Sequence, residues 1–251
     1  MSQQRQEYGS VIFSVDIPDQ GVTKAQVKEL FQLFDSRGLP ATWAAGRMHA
    51  RQVSCCVRES QSSHEVAILG NADWLPVDNN RRTFYRTLAE RMQQFRDERV
   101  PVTTLAMDNV ELVEHLDLLV KHRISMFRCA STTAATAAHC LQPRSLRFGV
   151  WQAPAALRLS ARGHVGWWTD MKLRRAIRQC SRKGGVVHLL AQADELLEHH
   201  GHWRLLDRLL RNVADRSQKD SLQCFTLQQL SRQIQRQPVR TTSQSLLHRA
   251  A

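Results

Sequence analysis

The sequence VIFSVDIPD, residues 11–19, decides the fold. A run of β-branched and aromatic residues ends at Asp16 and is followed by a turn that contains Pro, Asp and Gly, a pattern typical of a buried strand that ends in a loop. Thr23 and Gln26 then form the Thr-x-x-Gln capping box that begins a helix, and Gly38 ends that helix. The stretch therefore predicts a strand–loop–helix unit.

The same unit recurs along the chain. Further strands are predicted at 41–45, 65–69, 101–107, 124–128, 145–150, 185–190 and 222–225, and helices at 47–58, 80–98, 110–122, 170–183, 202–216 and 226–236. This alternation predicts a parallel sheet covered by helices. Seven or eight units fit a single-domain distorted (β/α)7-8 barrel, with a doubly wound open sheet as the alternative. The barrel is expected to span residues 9–236, between flexible tails at 1–8 and 237–251.

Composition and charge narrow the class of protein. The 251 residues are 42% hydrophobic, and no apolar run is long enough to cross a membrane. The chain carries 35 basic and 23 acidic residues, giving a net charge of +12, and most of the basic residues are arginine. This excess of positive charge could bind an anionic partner. A GC-rich genome, which favours arginine codons, would also account for it. With six scattered cysteines and no leader sequence, the sequence predicts free thiols and a cytoplasmic location.

The strand ends provide the candidate functional residues, because chemistry in α/β barrels lies at the carboxyl ends of the strands. An aspartate and a histidine that meet at one barrel mouth can act as base and acid in hydrolysis. Each also has a structural interpretation, since a strand-end aspartate often caps a turn and a strand histidine often packs in the core. The polar residues near strand ends are Asp16, Asp19, Asp73, Asp108, Arg128 and His188.

Several segments, taken in order, resemble polysaccharide deacetylases of the NodB homology type. Residues 13–19 (FSVDIPD) resemble the first motif of that family, and residues 41–44 (ATWA) resemble its A-T-F/W-F segment. Residues 64–70 (HEVAILG) lie where the family has H-E-I-A-S-H or E-I-G-N-H. Residues 127–130 (FRCA) resemble F-R-A-P, and residues 187–189 (VHL) resemble the late histidine motif.

The resemblance implies a distorted barrel that hydrolyses N- or O-acetyl groups on sugars. Family members hold a divalent metal, usually zinc, with an aspartate and an H-x-x-x-H pair, and this metal polarises the acetyl carbonyl and activates water. Carried over to this sequence, Asp16 matches the general base and His188 the general acid. Asp19 is the candidate for the metal-binding aspartate.

The metal-binding histidines are missing under both alignments of their motif. One alignment places Leu69 and Asp73 at the histidine positions, and the other places Ala72 and Pro76 there. Asp19 and Asp73 could hold a hard cation weakly, but two carboxylates make a poor zinc site. We therefore predict no tightly bound metal cofactor and a degenerate member of the family.

Three further features have both a functional and a structural interpretation. Trp167 and Trp168 could stack on a sugar ring or simply pack. Helix 170–183 carries six basic residues and one acidic residue, but it lacks interleaved aromatic residues, so nucleic acid is not favoured as a partner. The HHGH tract at 199–202 is predicted to be a solvated turn before a helix.

Two functions remain open at this point. The first is a carbohydrate deacetylase-like hydrolase, with Asp16 as base, His188 as acid, Arg128 beside them, and Asp108 and the two tryptophans binding substrate. The alternative is a non-catalytic barrel that binds a glycan or an anionic partner through its mouth or through helix 170–183.

Overall fold

The computed structural model describes residues 9–74, 81–108, 114–130, 143–153, 157–159, 167–219 and 221–236. The strands are β1 (Gly9–Ile17), β2 (Thr42–Ala45), β3 (Glu65–Gly70), β4 (Thr104–Asp108), β5 (Met126–Ala130), β6 (Arg144–Ser145), β7 (Trp151–Gln152), β8 (Leu157–Arg158), β9 (Val186–Gln192) and β10 (Leu222–Phe225). The helices are α1 (Lys24–Asp35), α2 (Ala50–Glu59), α3 (Arg81–Asp97), α4 (Leu116–Lys121), α5 (Trp167–Lys183), α6 (Ala193–Glu198), α7 (His200–Gln218) and α8 (Leu227–Arg236).

All ten strands belong to one curled sheet. Its order is β6-β7-β5-β4-β3-β2-β1-β9-β8, with β10 also paired to β1. Among the described strands, β6 and β7 pair in antiparallel fashion and the other pairs are parallel. Strands β1 to β5 follow one another in chain order, and right-handed crossovers then place their helices on the same face. The barrel-type prediction is confirmed over the doubly wound alternative.

Alternation along β1 shows which face of the sheet points inward. Val11, Phe13 and Val15 belong to the large core between the sheet and the surrounding helices. Ile12 instead packs with residues of β5, β9 and α8 in a separate cluster inside the curl. Ser14 and Asp16 share the inward face with Ile12, because side chains two residues apart lie on the same side of a strand.

Local signals in the first unit are confirmed. The Thr23 side chain accepts from the backbone of Gln26, and the Gln26 side chain accepts from the backbone of Thr23 in return, so both halves of the capping box form. Gly38 follows α1 with φ of +62°, a left-handed conformation that glycine adopts without steric cost.

Several boundaries differ from the predictions. The strand predicted at 145–150 is wrong, because this segment forms the two-residue strands β6 and β7 around a 3₁₀ turn at Arg147–Gly149. Part of the helix predicted at 110–122 lies outside the described residues, and α4 begins at Leu116. The solvated turn predicted at 199–202 is also wrong in part: His202 lies buried within α7, and its Nδ1 is 3.2 Å from the carbonyl oxygen of Glu195.

Two other expectations concern thiols and membranes. Cys55, Cys56 and Cys224 are free thiols, and Cys140 lies outside the described residues. Within the described segments, no helix combines the length and apolar character that a bilayer span needs.

Candidate active site

Asp16 and Arg128 form a buried ion pair inside the curled sheet. The Nη2 atom of Arg128 donates to both carboxylate oxygens of Asp16, at 2.8 Å to Oδ1 and 2.7 Å to Oδ2. Each residue is only 1% exposed. Charge-assisted hydrogen bonds of this length fix the orientation of the carboxylate.

Curvature of the sheet makes this contact possible. Strands β1 and β5 are separated by β2, β3 and β4, so in a flat sheet Asp16 and Arg128 would lie roughly 19 Å apart at about 4.8 Å per strand. Each intervening strand contributes one alanine to a small inward cluster, Ala44, Ala67 and Ala106. Because alanine occupies little volume, the long Arg128 side chain can cross the interior and reach Asp16.

Arg128 keeps unused hydrogen-bonding capacity at this position. Its Nε and Nη1 atoms are buried and have no hydrogen-bond partner among the described residues. Buried donors are normally satisfied, so unsatisfied ones suggest a functional role or an acceptor that binds there.

His188 lies on the inward face of β9 and shares a 2.7 Å hydrogen bond with Ser14 through Nε2. Strands β1 and β9 are neighbours, as the predicted convergence of Asp16 and His188 requires. However, the register pairs His188 with Ile12 and pairs Asp16 with Gln192, so the two backbones are offset by four residues, about 13 Å. The side chain of His188 therefore begins deeper in the barrel than that of Asp16.

Sequence analysis missed Ser14, although a signal for it was present. Ser14 is two residues before Asp16 and must share its face of β1. A buried hydroxyl beside a buried imidazole sets the orientation of the ring, and both side chains are 1% exposed. Ser14 is thus a positioning residue for His188.

A hydrogen bond to Asp19 links the loop after β1 to the loop after β2. The Oδ1 of Asp19 accepts from the backbone N–H of Met48 at 2.7 Å. A Cβ atom at position 46 would clash with the same oxygen, so the close contact between Asp19 and the backbone of Gly46 requires glycine there. Arg91 supports this loop from α3: it is buried, its Nη2 donates to the carbonyl of Ala45 at 2.8 Å, and burial lowers its pKa to about 10.

The residues at the expected metal positions do not fit a zinc ion. Leu69 is apolar and packs against the alanine cluster, and the Oδ2 of Asp73 accepts from the side-chain nitrogen of Asn71 at 2.9 Å. Asp19 uses one oxygen for the Met48 backbone, and Pro76 lies outside the described residues. No cluster of three or more His, Cys, Asp or Glu side chains suited to a metal occurs in the segments that the structure describes. The absence of a tight metal site stays a prediction.

The predicted substrate-binding residues are placed only by their backbones. Asp108 ends β4, and Trp167 and Trp168 begin α5. Their side chains lie outside the described residues, so their roles stay predictions.

A second buried carboxylate, Glu65, lies inside the barrel near its amino end. Its Oε2 accepts from the Thr42 hydroxyl at 2.8 Å and from the Gln228 N–H at 2.8 Å, and its Oε1 accepts from the Thr104 hydroxyl. Burial raises the pKa of Glu65. The Gln228 amide belongs to the first turn of α8, so this carboxylate caps the helix that closes the barrel from below.

Comparison with solved structures identifies the fold. A protein named as a polysaccharide deacetylase from Mycobacterium smegmatis matches with a TM-score of 0.71 at 13% identity, over 94% of this chain and 93% of that one. Another from Pseudomonas aeruginosa PAO1 matches with a TM-score of 0.69 at 11% identity, over 91% of each chain. The PuuE allantoinase matches with a TM-score of 0.63 at 10% identity, over 89% of each chain.

The chain therefore has the NodB-type polysaccharide deacetylase fold. No family model matches the sequence, and no curated protein matches it either. At identities of 10–13%, the likeness to these three solved structures establishes the architecture and leaves the activity to be argued from the site.

Proposed function

We propose that this protein hydrolyses acetyl groups on a carbohydrate, with Asp16 as the general base and His188 as the general acid. The observation that carries the proposal is the buried Asp16–Arg128 pair inside a NodB-type fold. A carboxylate that is held in one orientation, with its charge compensated, can accept a proton from water without having to reorganise first.

In the proposed reaction, Asp16 takes a proton from a water molecule whose oxygen forms a bond to the acetyl carbon. The bond from that carbon to the sugar nitrogen or oxygen breaks, and the leaving atom takes a proton from His188. The products are acetate and a free amine or hydroxyl on the sugar. Arg128 holds the Asp16 carboxylate, and Ser14 holds the His188 ring. No step is assigned to a metal, because the donor set does not fit one.

Acetate release tests this proposal. Wild-type protein is expected to release acetate from an N-acetylated chito-oligosaccharide or from an O-acetylated xylan. Asp16→Asn and His188→Ala should each abolish that release, while Asp97→Asn, an exposed aspartate at the end of α3, should leave it unchanged. Circular dichroism of each variant establishes that the fold is retained. Unchanged activity in either site variant would reject the assigned roles.

The misfit of the metal positions favours a second candidate, a glycan-binding barrel without catalysis. Leu69 stands where one alignment expects a metal ligand, and its side chain has no donor atom. Under this alternative, the wild-type protein binds a glycan in the barrel mouth but releases no acetate from either substrate. Measurement of binding beside acetate release separates the two candidates.

A further inference from the structure

Helices α5 and α7 lie next to each other on the outside of the sheet, where Arg208 of α7 approaches Asp170 of α5 at 3.6 Å. Together they present a strongly positive surface to solvent. We define the basic face as six of the eight exposed basic side chains on these helices, namely Lys172, Arg175, Arg178, Arg182, Lys183 and Arg204. The other two, Arg208 and Arg211, each pair with an aspartate.

The positive charge of the basic face is not neutralised locally. These helices carry three acidic residues. Two of them are already engaged by other arginines: Asp170 lies 2.6 Å from Nε of Arg174, and Asp207 lies 3.0 Å from Nη2 of Arg37. The third, Asp215, is exposed near the end of α7. Across the described part of the chain, no carboxylate lies within ion-pair distance of any of the six basic-face side chains. The face therefore attracts anions.

The arrangement of the arginines suits an extended ligand. Arg175, Arg178 and Arg182 have the spacing of one helix stripe and cover about 10 Å along the axis. A groove of about 840 Å³ runs along this side of α5, and a second groove of about 380 Å³ lies along α7. Guanidinium groups bind carboxylates through paired hydrogen bonds, so a row of them matches a polymer with regularly spaced carboxylates.

We propose that the basic face binds an anionic polysaccharide whose successive sugars carry carboxylate groups. This proposal rests on the proposed function for the carbohydrate nature of the ligand. Helix α5 comes directly before β9, and in a β/α unit the helices run antiparallel to the strands. The first residues of α5 therefore lie toward the carboxyl ends of the strands. A chain that follows the face toward the start of α5 therefore approaches the barrel mouth.

The described residues also favour a polysaccharide over single-stranded nucleic acid. Proteins that bind single-stranded nucleic acids usually combine basic residues with aromatic side chains on which the bases stack. Among the described residues that line the two grooves, none is aromatic.

Binding of polygalacturonate oligosaccharides provides the test, with neutral dextran and a single-stranded DNA oligonucleotide as comparison ligands. The variant Arg175→Gln/Arg178→Gln/Arg182→Gln removes three charges from the basic face. The matched control Arg86→Gln/Arg96→Gln/Arg232→Gln removes three charges from exposed positions on α3 and α8, so both variants have the same net charge. All six positions are exposed, and neither variant touches the barrel interior.

We expect wild-type protein to bind polygalacturonate at low salt, with weaker binding as salt is raised. The basic-face variant should lose about tenfold in affinity, and the matched control should change by no more than about twofold. Equal losses in both variants would show that only net charge matters and would overturn the proposal. It would also be overturned by tighter binding of the DNA than of polygalacturonate, or by equal binding of dextran.

The experiment separates this inference from the proposed function. If the basic-face variant loses binding while wild-type protein releases no acetate from any glycan, the binding surface stands and the hydrolase proposal fails.

Discussion

Arg128 is a buried charged residue inside the barrel. It brings a guanidinium group to a position that is 1% exposed, where it forms an ion pair with Asp16. Loss of either partner leaves the other charge buried and uncompensated, which usually costs more than the pair itself contributes. The same pair therefore bears on stability as well as on the proposed chemistry.

This reasoning predicts a non-additive result for the two residues. Arg128→Met and Asp16→Leu should each lower the free energy of unfolding by about 3–5 kcal/mol. The double variant should lose less than the sum of the two single losses, because it leaves no unpaired charge. Urea unfolding of the four proteins measures the coupling, and strictly additive losses would contradict the buried pair.

At the scale of elements, two buried polar groups join helices to strands. Glu65 joins α8 to β2, β3 and β4, through the Gln228 amide and the Thr42 and Thr104 hydroxyls. His64 joins the end of α1 to β2: its Nδ1 accepts from the Ala41 N–H at 3.0 Å, and its Nε2 lies 3.2 Å from Asp35. Both groups connect segments that are distant in sequence.

Replacement of Glu65 tests the first of these connections. Both carboxylate oxygens of Glu65 accept hydrogen bonds from donor groups. In Glu65→Gln an NH₂ group replaces one of these oxygens, so one of the donors would face another donor. We expect the free energy of unfolding to fall by about 1–3 kcal/mol. Glu59→Gln, an exposed change at the end of α2, should stay within about 0.5 kcal/mol of wild type. Equal stability of the two variants in urea would contradict the capping role.

The His64 connection predicts a pH dependence of stability. Burial lowers the pKa of His64 below its ordinary value of 6.5, so the unfolded chain binds a proton at a higher pH than the folded chain does. The stability that neutral His64 contributes is present above pH 6.5 and is lost as the pH falls from there through the folded pKa.

Urea midpoints measured on both sides of this window provide the test. Wild-type protein should lose more stability on acidification than His64→Gln does. His200→Gln, a change at an exposed histidine, should follow the wild-type curve. An identical pH dependence in wild type and His64→Gln would show that another group is responsible.

For the whole molecule, β1 is the centre of the sheet. It pairs with β9 along one edge, and with β10 and then β2 along the other. Strand β10 therefore brings the C-terminal part of the described chain back to the first strand. Leu222, Leu227 and Leu230 from β10 and α8 are all nearly inaccessible to solvent.

Two truncations test how far the stability of the protein depends on the pairing of β10 with β1 and on the packing of α8. A chain that ends after Gln218 loses β10 and α8, and exposure of the surfaces around three buried leucines costs about 5–9 kcal/mol, comparable with the total stability of a typical domain. It should not fold cooperatively. A chain that ends after Arg236 keeps both elements, and its melting temperature should match that of the full chain. Calorimetry of the two truncated chains checks this, and a cooperative transition in the shorter one would contradict the role of β10.

The sequence alone determined the fold class and most of the longer helices and strands. The run of β-branched and aromatic residues at 11–15 predicts β1, and the Thr23–Gln26 capping box and Gly38 predict the start and end of α1, because these signals act within a few residues of the chain. By contrast, the strand predicted at 145–150 is wrong, because the short mixed sequence SLRFGV does not reveal the 3₁₀ turn at Arg147–Gly149 that interrupts it.

Only the tertiary structure decided which candidate residues meet. The sequence nominated Asp16, Arg128 and His188 separately, but strand order, register and curvature pair Asp16 with Arg128 across three strands and pair His188 with Ser14. These pairings join residues more than a hundred positions apart. No local pattern encodes them, because they depend on how far the whole sheet curls and on the small alanines that leave space within it.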